Sequence, residues 1–86
     1  MNTRTYYWTG SNNSTYLRSR RRASSKLAAT RQALNFLRGE LMGEGQVVIF
    51  DSEQTPYPTI IFERSIHTGY QCIRKENGKE RRTFTL

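Results

Sequence analysis

Apolar residues recur at two different periods along this chain, and the change of period divides it into a helical half and a stranded half. Ala23, Leu27, Thr30, Leu34, Leu37 and Leu41 follow one another at alternating spacings of four and three, which keeps them on one stripe of a helix. Ala28, Ala29 and Ala33 add helix propensity between them. Ser14 or Thr15 suits the cap of a long helix beginning near Tyr16, which falls on the same stripe, and Ser24 suits the cap of a shorter one. The stop is marked by Gly43, in the position that favours left-handed backbone, and by Gly45 beyond it. Phe36 projects away from the Leu stripe, near Ala29 and Gln32, and calls for a second partner surface.

Beyond the helix the period falls towards two. Residues 46–50 are apolar on both faces, as a covered strand requires. Thr55-Pro56-Tyr57-Pro58 reads as a rigid connection, because proline fixes φ and cannot donate to a ladder. Segments 59–67, 70–76 and 79–86 then read as a three-stranded meander, turned at Thr68-Gly69 and at Asn77-Gly78. Two-residue turns at both places put Ile60, Phe62, Ile66, Ile73, Phe84 and Leu86 on a core face. They put Glu63, His67, Tyr70, Cys72, Arg74 and Arg81 on the other, with Arg74 directly opposite both Arg81 and Glu63. At the other end, Thr5-Tyr6-Tyr7-Trp8-Thr9 is rich in strand formers and stops at Gly10, before a loop of Ser11-Asn12-Asn13-Ser14.

These elements predict an α+β fold: one long amphipathic helix packed on a three- to four-stranded antiparallel sheet, in the order β-α-β-β-β-β. The first strand is the least marked. A single small domain over 1–86 follows, with 1–22 either an edge strand or a flexible basic and aromatic arm.

Charge sharpens the picture. The net charge of +7 is distributed in blocks: residues 1–39 hold eight Arg or Lys and no carboxylate, and 40–63 hold five carboxylates and no base. Residues 64–86 hold six bases against Glu76 and Glu80. Alternating blocks in so short a chain point to charged faces rather than a uniform solvated coat. Arg18, Arg20, Arg21, Arg22 and Lys26, if helical, crowd within two turns and repel one another, a cost that an external polyanion would remove. Arg31 and Arg38 extend that basic flank. Guanidinium forks suit phosphate oxygens, so these seven residues are the leading nucleic-acid candidates. Tyr70, Arg74, Arg81 and Arg82 form a secondary set, the tyrosine offering a surface on which a base can stack. Trp8, beside Tyr6, Tyr7 and Arg4, and Phe36 are candidate partner contacts, Phe36 also in a self-associating form with a twofold interface.

Catalysis and metal binding find little footing. His67 and Cys72 are the chain's one histidine and one cysteine, with no orienting third group or oxyanion site evident and too few ligands for a closed metal site. No cofactor motif is present. With one cysteine no intrachain disulfide can form, and no apolar run approaches the ~20 residues that span a bilayer. The expectation is therefore a non-enzymatic, cytoplasmic protein that binds DNA or RNA through a basic helix or arm and has no membrane role. The competing expectation is a small inhibitor or adaptor that docks on an acidic surface of a larger protein complex.

Overall fold

Ser25, one residue beyond the expected cap, starts the helix. Its backbone is extended and its Oγ accepts from the Ala28 N–H at 3.0 Å. In this computed structural model, which describes residues 4–86 and only the backbone at Arg81, α1 therefore runs Lys26–Arg38 and no longer. The basic run before it is not helical. Its last part is a short strand, β2 (Arg21–Ala23), laid antiparallel against β1 (Tyr6–Ser11), with Tyr7 opposite Arg22 and Trp8 opposite Arg21. Alternation along a strand sends Arg21 and Arg22 to opposite faces, which relieves the repulsion that a helix would concentrate.

The remaining strands are β3 (Gly45–Phe50), β4 (Ile60–Arg64), β5 (Cys72–Glu76) and β6 (Lys79–Phe84), with a 3-10 turn over Ile66–Thr68. All pairs are antiparallel and the sheet has six strands in the order β2-β1-β3-β4-β5-β6. The fold is thus α+β as expected, but the sheet is larger than the three to four strands foreseen. The N-terminal segment supplies the difference. β1 does not stop at Gly10, and the chain after it is tied down: Asn12 Oδ1 accepts from the Ser14 and Thr15 N–H groups, while its Nδ2 donates to the Leu41 and Glu44 carbonyls. Within residues 4–22, β1 and the start of β2 belong to the sheet.

α1 lies over β1 and β3 and reaches β2. Its buried residues are Ala29, Ala33, Phe36 and Leu37, while Leu27 is 61% exposed. The helix is therefore rolled about its axis relative to the Leu stripe. Small alanines let the helix backbone approach the sheet closely, and Phe36 occupies the space above Gly10. A Cβ at Gly10 would lie 2.9 Å from the Phe36 ring and 2.8 Å from Val47 Cγ1. Trp8 completes the site, its ring tilted against Phe36 at 5.5 Å and its Nε1 donating to Gln32 Oε1 at 2.9 Å. The second surface that Phe36 needs is supplied by its own chain, which leaves the ring 5% exposed.

Two departures from ideal hairpins reset the expected faces. The β4–β5 connection spans 65–71 instead of two residues, held by Arg64, whose Nε donates to the Tyr70 carbonyl at 2.8 Å and whose Nη1 donates to the Gly43 carbonyl at 2.6 Å. Phe62 consequently pairs with Arg74, and Glu63 with Ile73. The β5–β6 turn at Asn77-Gly78 does have the expected two residues, both with positive φ (54° and 79°), but the register breaks between Arg74 and Lys75. Arg81 is left without a counterpart, so Arg74 faces Arg82 rather than Arg81, and Cys72 faces Phe84. A one-residue slip exchanges the faces of a strand. Cys72 and Arg74 accordingly lie on the helix side with Phe62, whereas Ile73 lies on the open side.

The packing at Gly10 yields a test by sign. Glycine within a strand ordinarily costs ~0.5–1 kcal/mol relative to alanine, so Gly10→Ala would stabilise an unobstructed strand. Here overpacking against Phe36 and Val47 should destabilise by about 1–3 kcal/mol, read as a lower urea midpoint. A midpoint that rises would refute the close approach of α1 to β1.

Candidate nucleic-acid interface

The cationic side chains divide into those consumed by the fold and those left facing solvent. Arg20 belongs to the first group. Its guanidinium lies 3.4 Å above the Phe50 ring. Nη1 donates to the Ser52 and Glu53 carbonyls at 3.0 Å each, and Nη2 donates to the Thr55 carbonyl at 2.6 Å. It clamps the β3–β4 loop through main-chain oxygens, an arrangement that five guanidinium donors in a fixed fork make easy and a lysine could not reproduce. Lys26 bonds Glu76 at 3.2 Å, and Arg74 reaches the other oxygen of the same carboxylate at 3.5 Å.

Arg18, Arg21, Arg22, Arg31 and Arg38 are exposed. Arg18 lies in the loop before β2, and Arg22 on the open side of that strand. Arg21, on the helix side, has its guanidinium 5.4 Å from the Trp8 ring and 5.5 Å from the Phe36 ring, covering the edge of the core. Arg31 and Arg38 are two turns apart on the outward side of α1, where Arg38 Nη1 donates to Asn35 Oδ1 at a long 3.4 Å. Among the described residues no carboxylate lies within ion-pair distance of Arg18, Arg22 or Arg31. The acidic block does not neutralise them: Asp51 takes Arg4 in a solvent-facing 3.6 Å pair, while Glu40, Glu44 and Glu53 side chains pair with no described cation.

The secondary set does not assemble on the open sheet face. Tyr70 lies in the β4–β5 loop with φ of 60°, its ring 5.5 Å from the Arg64 guanidinium. Arg74 and Arg82 face the helix side, Arg82 lying 5.8 Å from the Phe84 ring. The Arg81 side chain lies outside the described residues. Trp8 and Phe36, 2% and 5% exposed, belong to the core. On the open face the ion pair is Lys75 with Glu63 at 2.9 Å, a diagonal cross-strand contact that raises the Lys75 pKa chiefly through the hydrogen bond to Glu63.

His67 sits exposed in the 3-10 turn, and Cys72 is fully buried at the start of β5. Burial pushes the Cys72 thiol up to about 11, against a weaker opposing pull from Arg64. At neutral pH the sulfur is thus protonated and enclosed, the reverse of what a nucleophile needs. Among the described residues no group of three or more His, Cys, Asp or Glu gathers to hold a metal ion, and no helix is long and apolar enough to cross a membrane.

Two residues that hold elements together escaped sequence reasoning. Arg64 looks like one more charge in a basic tail, and Gln32 like a solvent residue of the helix. Only the tertiary positions of Gly43, Tyr70 and Trp8 reveal what each one bonds. Compared with known proteins, the chain matches no family model, no curated protein and no solved structure.

Proposed function

We infer that this is a non-enzymatic, cytoplasmic nucleic-acid-binding protein that grips phosphates with Arg18, Arg22 and Arg31, flanked by Arg21 and Arg38. What supports the reading is one observation: these guanidinium groups are exposed, and the first three have no carboxylate partner among the described residues. A chain that carries seven carboxylates, five of them consecutive in sequence among charged residues, has the means to neutralise this surface and leaves it open. Phosphate fits the vacancy because each neutralised phosphate releases condensed counterions, a gain that no solvated surface ion pair provides. The five arginines project from a loop, a strand and a helix, and none reads as a base-edge contact. The interaction is therefore one of backbone geometry, with positioning by phosphate rather than selection by sequence.

The reading sets out a division of labour that mutation can separate. With Arg18, Arg22 and Arg31 replaced together by Gln, affinity for duplex DNA at low salt should fall by at least tenfold. The slope of log affinity against log salt should shrink by about 2.7, at ~0.9 per phosphate contact. Stability should stay within about 0.5 kcal/mol, since all three are surface positions. Undiminished affinity in fluorescence anisotropy would end the assignment of these residues. Arg20→Gln should behave in the opposite way, with the salt slope preserved while stability falls by about 1–3 kcal/mol as three carbonyls lose a charged donor. Hydrogen exchange across 51–55 should accelerate with it. A slope reduced by a full unit at unchanged stability would instead make Arg20 a phosphate ligand.

A further inference from the structure

Between α1 and the β5–β6 hairpin lies a cavity of about 210 Å³, lined by Thr30, Leu34, Phe62, Arg74, Arg82 and Phe84. Three features of it are unexplained by folding alone. Arg74 and Arg82 stand directly opposite each other across the strand pair, a like-charge arrangement that opposes pairing. They do so because of the irregularity at Arg74/Lys75: in the unbroken register set by the Asn77-Gly78 turn, Arg74 would face Arg81. Bulges are devices that re-aim side chains, often beside binding sites. Finally, the Arg74 Nε–H is buried with no hydrogen-bond partner, although the neighbouring Nη2 contacts Glu76 at 3.5 Å.

Internal charge does not satisfy this groove. Arg74 and Arg82 line it with two positive charges, and the carboxylate paired with Arg74 among the described residues is Glu76, which also takes Lys26. The rest of the lining is apolar: Leu34 flanks the opening, and Phe84 stands edge-on to Phe62 at 6.0 Å. At roughly 30 Å³ for each water, the space exceeds what a simple ion would fill. We propose that the groove is a binding site for a phosphomonoester, its oxygens bridging the Arg74 and Arg82 guanidinium groups and its organic moiety resting against Leu34 and Phe84. A tetrahedral oxyanion between the two guanidinium groups converts the repulsive arginine pair into a bridged one and leaves the Lys26–Glu76 pair intact. The site is separate from the arginines of the nucleic-acid surface and does not depend on them. The phosphate belongs either to a free small molecule, such as a mononucleotide, or to the 5′ end of a strand.

The test is an NMR titration of the full chain that follows the arginine Nε–H resonances. Inorganic phosphate and a 5′-mononucleotide should each shift Arg74 Nε–H saturably, and Arg82→Gln should weaken both by at least tenfold while leaving the amide spectrum of the core unchanged. Arg74→Lys, which keeps the charge and removes the fork, should weaken them comparably. An oligonucleotide with a 5′-phosphate that outcompetes both its unphosphorylated twin and the mononucleotide assigns the site to strand ends; a mononucleotide that outcompetes both oligonucleotides assigns it to a free ligand. The Arg18, Arg22 and Arg31 triple variant must bind inorganic phosphate here as the wild type does, whatever becomes of its DNA binding. Absence of a saturable shift with any of the probes, or equal affinity in Arg82→Gln, overturns the proposal.

Discussion

The contact between Phe36 and the bare backbone of Gly10 determines which side of the single helix faces the sheet, and with it the distribution of charge over half the molecule. Because no Cβ stands at Gly10, the Phe36 ring can settle on β1 beside Trp8 and Val47, and the helix rolls until Ala29 and Ala33 meet the strands. That roll leaves Arg31 and Arg38 outward and Leu27 uncovered. It also turns Thr30 and Leu34 towards β5 and β6, where they form one wall of the phosphate groove. Had the Leu stripe been the buried face, Phe36 would be exposed and the cations would be displaced around the helix with it.

Arginine does two kinds of work in this protein, and the distinction lies in what accepts its hydrogen bonds. Arg20 and Arg64 donate to main-chain carbonyls in loops that have no regular ladder of their own, fastening 51–55 and the β4–β5 connection. Such bonds are satisfied, directional and partly shielded from water. Arg18, Arg22 and Arg31 have none of this. A small domain with a modest core gains rigidity from the first kind, which frees the second for an external counter-surface. The groove at Arg74 and Arg82 falls between the two, with one guanidinium half satisfied by Glu76 and the other by nothing described.

Much of the fold was legible before the structure: the helix core region, the strand at 46–50, the Asn77-Gly78 turn and the α+β class all follow from period and turn chemistry. The errors have specific physical origins. Helix over the basic run was one of two readings, since a long version of the stripe reaches Tyr16, but charge repulsion and the Ser25 cap favour strand pairing with β1. Ala29 and Ala33 were read only for helix propensity, whereas they mark the close-packed side. The face of β5 was exchanged by a seven-residue connection, and one unpaired residue in β6 returned Phe84 to its expected core side; neither leaves a periodic trace. In the candidate interface, the basic block was visible as composition, while the separation of Arg20 from its neighbours depended on carbonyls more than thirty residues away.

At the centre of the account are uncompensated guanidinium groups on the loop before β2, on the open side of β2 and on the outward side of α1. Amide chemical-shift mapping with a short unphosphorylated DNA duplex tests this most directly. Perturbations should concentrate in 18–22 and around Arg31 and Arg38, with the carboxylate-bearing turn at 40–44 and the segment 65–67 unmoved. Shifts centred on those latter segments, or none at all at low salt, would contradict it.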